Sequence, residues 1–285
     1  MLIEILLLIS VGAIAGLIAG LLGVGGGTII VPALIFLFEF SDTNTNQIIQ
    51  MSVATSMACI VITSISSTYT HHQRNGVMWN LVKSIGMGIP LGALLGVVLV
   101  NLISGFLLKI LIVIFMIYIG INMLSSKIKV TKNIMLQNTN HFFPGSIIGF
   151  LSIPLGIGGG TFTVPYLKSL GHDIRKAIGT SAACGIVIAV TATIFFSLPI
   201  ELASLRLNEN LIYWPGVFWI SFSSIIFSRL GARLTYLIKE DLLKRIFGVF
   251  VFIVAIYSDL ILFHMVQTYF KGQLCNHSPP PEAPH

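Results

Sequence analysis

Charged residues are scarce in this chain of 285 residues. They make up 9% of it, against roughly 25% in soluble domains, while hydrophobic residues make up 55% and the mean hydropathy is +0.94. A soluble core needs no such excess of apolar side chains. The composition therefore excludes a soluble globular protein and predicts an all-α polytopic membrane protein surrounded by the lipid bilayer.

Cysteines and catalytic motifs are also scarce. The three cysteines, Cys59, Cys184 and Cys275, are too few and too scattered for a disulfide framework. The apolar runs contain no nucleophile beside a base and no His-Glu-x-x-His, so the sequence predicts neither an enzyme nor a metal or cofactor site. The net charge of +6 falls in short loops between apolar runs, which is typical of membrane topology and does not indicate nucleic acid binding.

Glycine is frequent, and much of it lies in a motif that occurs twice. The first copy is Gly23-Val-Gly-Gly-Gly27-Thr-Ile-Ile-Val-Pro32, and the second is Gly156-Ile-Gly-Gly-Gly160-Thr-Phe-Thr-Val-Pro165. A second block, Thr55-Ser-Met-Ala-Cys59, returns as Thr180-Ser-Ala-Ala-Cys184. The sequence thus predicts a duplicated unit: repeat 1 at 1–125, a polar loop at 126–141, repeat 2 at 142–270 and a disordered tail at 271–285.

The apolar runs predict the membrane spans. Crossing a bilayer takes about 20 residues, and the runs of that length are 48–70, 80–102, 105–125, 176–199, 211–237 and 242–266. The glycine-containing segments, 2–38 and 142–170, either cross as well or form re-entrant hairpins. If both cross, the cations divide evenly between the two faces, with seven on one and nine on the other.

Hairpins divide the cations differently. Thirteen then lie on one face, and only Lys109, Arg206 and Lys271 lie on the other, which is a strong positive-inside signal. Hairpins also leave three full spans in each repeat, and an odd number makes the repeats inverted, as in alternating-access carriers. We therefore expect cytoplasmic loops around Arg74 and Lys129 and external termini.

The glycine clusters themselves have two interpretations. Three consecutive glycines followed by a proline are costly inside a helix, which favours a break that exposes backbone amides over close helix packing. A nucleotide-binding loop would need a soluble βαβ unit around it. After each break a half-helix would begin near Thr28 and Thr161, and its free N–H groups and positive dipole end can bind an anion without Lys or Arg.

The Thr-Ser pairs are the candidate side-chain donors to such an anion, although each hydroxyl could instead bond its own i−4 carbonyl. Cys59 and Cys184 are expected to be small packing residues rather than redox groups. The predicted substrate-binding residues combine the glycine motifs and these pairs: Gly23, Gly25, Gly26, Gly27, Thr28, Thr55, Ser56, Gly156, Gly158, Gly159, Gly160, Thr161, Thr180 and Ser181.

Other polar residues rank lower. Arg229 and Arg233 are four apart at the end of a span and are expected to anchor it at the interface, with anion attraction at the inner mouth as the alternative. His71 and His72 lack further ligands at metal-site spacing and are expected to be interfacial. Asp259 either carries a coupling proton or faces the outer interface.

The two copies of Leu-Gly-x-Gly-Gly-Gly-Thr-x-x-Val-Pro, each followed by a Thr-Ser block, and the Leu230-Gly-Ala-Arg-Leu234 stretch resemble the TauE/SafE family, the sulfite exporter family. The resemblance implies secondary transport of sulfite, sulfonates or other small sulfur-containing anions, usually outward across the bacterial inner membrane. It also implies that the motif residues, with Pro32 and Pro165, form the site. An anion channel and a non-transporting scaffold remain alternatives, and the oligomeric state stays open.

Overall fold

A computed structural model describes residues 2–40, 47–104, 141–198 and 211–239, two short strands within 200–207, and isolated positions at 107–114 and 242–249. The predicted tail, nearly all of the inter-repeat loop, most of the runs 105–125 and 242–266, Asp259 and Cys275 lie outside the described residues.

The described residues are almost entirely helical, as the composition predicts. The helices are α1 Leu2–Leu22, α2 Gly27–Phe40, α3 Ile48–Gln73, α4 Trp79–Gly86, α5 Ile89–Leu102, α6 Phe142–Ser152, α7 Gly160–Ser169, α8 Ile174–Ser197 and α9 Trp214–Leu237. Strands β1 Ile200–Leu202 and β2 Leu205–Leu207 pair antiparallel, with Ile200 opposite Leu207. Within the described part of the chain, this hairpin after α8 is the only β structure.

Among the described residues, four helices, α1, α3, α8 and α9, are long and apolar enough to cross a membrane. Helices α4 and α5 meet at a bend of 49° and together would form a fifth span. Gly86, Gly88 and Pro90 explain this bend, because glycine tolerates a kink and proline in a first turn begins a new helix. Asp173 caps α8, since its carboxylate accepts hydrogen bonds from the amides of Arg175 and Lys176.

The first arms of the two glycine-containing segments differ in length. Helix α1 has 21 residues, about 31 Å at 1.5 Å per residue, and is long enough to cross alone. Helix α6 has 11 residues and reaches only about half as far. Residues 2–8 account for most of the difference, because they precede the stretch of α1 that matches α6.

The helices pack in matching pairs. Helix α1 packs along α9, and α6 packs along α5, while α3 and α8 contact each other at the centre. A side-chain atom added at Gly12, Gly16 or Gly20 would meet the α9 backbone. Gly88 and Gly92 of α5 contact the α6 backbone in the same way. Glycines spaced four apart therefore serve close helix packing in these pairs.

Candidate functional site

Both ends of the first glycine-containing segment meet one residue, Tyr213, just before α9. The Tyr213 hydroxyl donates a hydrogen bond to Glu4 Oε1 over 3.0 Å, and its ring meets the Phe38 ring edge-on at 5.5 Å between centroids. Burial raises the pKa of Tyr213, and the bond to Glu4 raises it further. Since Glu4 lies near the start of α1 and Phe38 near the end of α2, these two helices form a hairpin.

The second glycine-containing segment folds back in the same manner. His141 precedes α6, and its Nδ1 lies 2.7 Å from the hydroxyl of Tyr166 in α7. The backbone N–H of His141 donates to Ser84 Oγ of α4 over 3.3 Å. Burial lowers the pKa of His141, and the nearby charge of His172 lowers it further. Helices α6 and α7 are thus the arms of a second hairpin.

The two hairpins run in opposite directions. Helix α1 is parallel to α9, because Gly12 meets Ile220 and Gly20 meets Ser228. Helix α9 is parallel to α3, because Thr63 bonds Ser224 and His71 bonds Tyr236. Helix α3 is antiparallel to α8, since Ser64 lies beside Gly185 and His71 beside Gly179.

Helix α8 is in turn parallel to α4, and α5 is parallel to α6. The first arm of one hairpin therefore points toward the first arm of the other.

The tips of the hairpins meet, and we call residues 23–27 with 156–160 the glycine crossing. The Gly158 N–H donates to the Val24 carbonyl over 3.1 Å. A Cβ atom on Gly25 would lie 3.0 Å from the Gly158 Cα atom. A Cβ atom on Gly27 would overlap the Gly156 carbonyl oxygen, and one on Gly160 would overlap that of Gly23. Side chains here would force the two tips apart.

The helices are interrupted on both sides of the crossing. The φ angles of Gly26 and Gly159 are +81° and +79°, in the left-handed region that glycine adopts without strain. The first hydrogen bonds of the new helices run to Gly26 O from the amides of residues 29 and 30, and to Gly159 O from the amides of residues 162 and 163. The amides of residues 27, 28, 160 and 161 precede these bonds, so the positive dipole ends of α2 and α7 lie at the crossing.

The Thr-Ser pairs bond across the structure. Ser56 Oγ donates to the Gly156 carbonyl over 3.0 Å, and Ser181 Oγ donates to the Gly23 carbonyl over 3.1 Å and also to Ile178. Each hydroxyl has one proton to donate. Ser56 gives its proton to the crossing, while Ser181 shares its proton between Gly23 and Ile178, so neither serine has a second proton for an anion.

The threonines of the same pairs accept hydrogen bonds from the residues that precede two other helices. Thr55 Oγ1 accepts from Tyr213 N over 2.9 Å, and Thr180 Oγ1 accepts from Met78 N over 3.0 Å. These long-range partners could not be predicted from local sequence.

Thr28 and Thr161 are the predicted site residues whose hydroxyls are unused. Both side chains are 1% exposed, and neither Oγ1 atom has a hydrogen-bond partner within the described ranges. They occupy the same place in the two motifs, one residue after the start of α2 and of α7. A buried hydroxyl without a partner is costly, so a ligand with acceptor oxygens would stabilise both.

The remaining polar candidates differ in their exposure. Cys59 and Cys184 are buried free thiols, while Arg229 and Arg233 are exposed on α9. The sequence predicts that His71 is interfacial, but the structure shows that it is fully buried. Its Nε2 atom lies 3.0 Å from the Gly20 carbonyl, and its Nδ1 atom lies 3.0 Å from the Tyr236 hydroxyl. No group of three or more metal-binding side chains occurs in the part of the chain that was described.

Comparison with known proteins identifies the family. The family described as "Sulfite exporter TauE/SafE" matches residues 8–258. The chain belongs to the TauE/SafE family. A probable membrane transporter protein of Haemophilus influenzae is 34% identical over 256 residues, which cover 88% of this chain and 97% of the relative.

Two further relatives have the same description, probable membrane transporter protein. One, from Methanocaldococcus jannaschii, is 32% identical over 61% of this chain and 66% of its own length. The other, YunE of Bacillus subtilis, is 30% identical over 58% and 67%. No solved structure matches the chain. Family and relatives together establish a membrane transporter protein of the TauE/SafE family.

Proposed function

We propose that this TauE/SafE protein is a secondary transporter that exports small sulfur-containing anions, such as sulfite or organosulfonates, across a bacterial inner membrane. The description of its family and the names of its relatives support this. The glycine crossing carries the proposal: two half-helix N-termini from oppositely directed hairpins meet there, beside the unpartnered hydroxyls of Thr28 and Thr161.

The crossing suits an anion for electrostatic reasons. Each half-helix end is equivalent to about half a positive elementary charge, so two ends balance roughly one negative charge. Backbone amides and threonine hydroxyls supply donors for the oxygens of a sulfite or sulfonate group. No Lys or Arg is buried among the residues described, so the site needs no fixed cation to hold a monoanion.

In this proposal some of the predicted site residues contact the anion, and the others hold the site in shape. The amides of residues 27, 28, 160 and 161, which precede the first helical bonds, and the hydroxyls of Thr28 and Thr161 contact the anion. Ser56 and Ser181 hold the two tips together through the Gly156 and Gly23 carbonyls. Thr55 and Thr180 hold the first turns of α9 and α4 against the central helices.

Alternating access follows if residues 1–125 and 142–270 are inverted repeats. The opposite directions of the two hairpins support this arrangement, because each repeat would then supply the same elements to the site from opposite faces. Rocking of one repeat against the other would expose the crossing first to one face and then to the other. Re-entrant hairpins, rather than full crossings, fit the contacts of Tyr213 with both arms of the first.

The test compares threonine variants in purified protein. Thr28→Val and Thr161→Val each remove only a hydroxyl that lacks a partner, so the folded protein should be as stable as the parent or more stable. Sulfite and sulfonate flux into proteoliposomes should nonetheless fall. Thr193→Val is the matched control, because Thr193 bonds its own i−4 carbonyl at Ala189, and its flux should be unchanged.

The form of the flux separates the alternatives. Saturable flux that increases when anion is present on the opposite side supports a carrier. Flux that does not saturate supports an anion channel. If the folded, inserted protein neither binds nor moves sulfite, sulfate, thiosulfate, taurine or sulfoacetate, that result supports a non-transporting scaffold.

A further inference from the structure

A stripe of polar side chains extends along α3 from the glycine crossing. Ser64, Ser67, Thr68 and His71 lie three and four residues apart and so share one face of the helix; we call them the polar stripe. All four are at least nine-tenths buried. A Cβ atom added to Gly185 of α8 would lie 3.1 Å from Ser64 Oγ and 2.8 Å from the Gly158 carbonyl, so the stripe begins at the crossing.

The stripe ends beside the loop that carries Arg74. A Cβ atom on Gly179 of α8 would lie 3.1 Å from the His71 Cβ atom. Tyr236, which bonds His71, lies against Gly76, two residues after Arg74, and Arg175 donates to the Ile238 carbonyl over 3.1 Å. The stripe therefore connects the buried crossing with a charged surface that the cation distribution places in the cytoplasm.

Three hydroxyls of the stripe have no hydrogen-bond partner among the described residues: those of Ser64, Ser67 and Thr68. Serine and threonine in apolar helices normally bond their own i−4 carbonyl. Two neighbours in α3 do so, since Thr63 donates to Cys59 O and Thr70 to Ser66 O. Three successive exceptions on one face are unfavourable in a dry environment, and water or an anion would supply the missing partners.

The corresponding half of α8 has no such stripe. The residues 125 positions after Ser64, Ser67, Thr68 and His71 are Ala189, Ala192, Thr193 and Phe196. Thr193 is the hydroxyl among them, and it bonds the Ala189 carbonyl. The two halves of the molecule therefore differ: polar groups lead from the crossing along α3, while the equivalent path along α8 is apolar.

We infer that the polar stripe lines the aqueous route by which a small hydrated anion moves between the glycine crossing and the face that carries Arg74. The inference rests on the proposed transport function and specifies its path. Small residues opposite the stripe, Gly179 and Gly185, leave room for water and ligand once α3 and α8 separate. The hydroxyls then replace part of the hydration shell of the anion. Arg74 and Arg175 attract the anion at the cytoplasmic end of the stripe.

The test is cysteine accessibility in paired positions. Ser64→Cys and Ser67→Cys are compared with Ala189→Cys and Ala192→Cys, in a background in which Cys59, Cys184 and Cys275 are alanine. The probe is sulfonatoethyl methanethiosulfonate, an impermeant sulfonate. The cysteine thiolate attacks its sulfenyl sulfur, a disulfide forms and methanesulfinate leaves, so mass spectrometry detects the adduct on folded protein.

We expect the cysteines at 64 and 67 to react at least about tenfold faster than those at 189 and 192, because the thiolate is the reacting form and dry burial suppresses it. The reagent should act from the side of Arg74. Equal rates at the paired positions, or faster reaction at 189 and 192, would overturn the inference. Selective labelling in a protein that moves no anion would instead contradict the proposed function, and it would show that the stripe lines a water-filled cleft.

Discussion

Ser181 donates a hydrogen bond to the carbonyl oxygen of Gly23, 158 residues earlier in the chain, over 3.1 Å. Ser56 makes the matching bond to Gly156, 100 residues later, over 3.0 Å. Each serine thus fixes the hairpin tip of the opposite half of the sequence. The glycine crossing is stabilised by both halves at once, and its geometry depends on bonds that neither half contains alone.

Removing these two hydroxyls should destabilise the protein. Ser56→Ala and Ser181→Ala each leave a buried carbonyl without its side-chain donor, and we expect each to cost about 1 kcal/mol in free energy of unfolding. Thermal unfolding in detergent measures the effect. Ser10→Ala is the control, because the Ser10 hydroxyl is exposed and bonds only the nearby Leu7 carbonyl. Equal unfolding midpoints for all three variants would contradict the role of the serines.

Alanine at the contact between the two tips should abolish flux. Gly27→Ala and Gly160→Ala place a methyl group on the carbonyl of the opposite tip, so the hairpins must separate and the paired dipole ends diverge. At Gly86 an added Cβ atom has its nearest neighbour, Val187, at 3.8 Å, an ordinary contact. Gly86→Ala should therefore retain flux and keep or raise stability, because alanine favours helix by about 1 kcal/mol over glycine.

The charge balance at the crossing predicts a preference for monoanions. A second negative charge would be uncompensated in a low-dielectric site, so sulfonates and hydrogen sulfite should bind more tightly than sulfate. The apparent affinity for sulfite should improve as pH falls from about 8 to about 6, since the monoanion gains over the dianion, whereas that for a sulfonate should stay constant. Sulfate binding at pH 8 as tight as sulfonate binding would require a buried cation or a co-bound proton.

Acid should weaken the second hairpin through His141. Its pKa is lowered in the folded protein by burial and by His172, so the unfolded chain takes up the proton first. The stability is fully present above the ordinary pKa of histidine and is lost as pH falls through the lowered value, by at most about 1.4 kcal/mol per pH unit. His141→Gln should flatten the dependence of the unfolding midpoint between about pH 7 and pH 5. An unchanged slope would rule out His141 as its source.

The topology can be tested from outside the cell. If the segments are re-entrant, an impermeant maleimide should label a cysteine placed at Thr43 and the native Cys275, because the positive-inside rule puts these residues outside. A cysteine at Lys129 should react only after permeabilisation. Reaction of Lys129→Cys in intact cells, with protection of the other two positions, would contradict the inverted arrangement.

The long helices were predictable because apolar length alone determines them. The runs 48–70, 176–199 and 211–237 match α3, α8 and α9 to within a few residues. The run 80–102 is instead divided near Met87, because two glycines and a proline outweigh its uniform hydropathy. The greater length of the first glycine-containing segment, 2–38 against 142–170, was visible in the sequence, but hydropathy does not distinguish a helix that crosses from one arm of a hairpin.

The partners within the site were less predictable. The Thr-Ser pairs could be selected as important from their repetition, but their bonds to Gly23, Gly156, Tyr213 and Met78 join residues far apart in the sequence. His71 was expected at an interface because it adjoins a polar loop. Its burial depends on Gly20 and Tyr236, which come from two other helices.

The reciprocal bonds of the serines also constrain the order of folding. The first hairpin is synthesised early. Its partners, Ser181 and the α9 surface against which the glycines of α1 pack, follow it by more than 150 residues. During membrane insertion its buried polar backbone must wait for a partner that is still being translated. Cells that make residues 1–125 alone should therefore degrade them, whereas separate expression of both halves should rescue a folded complex.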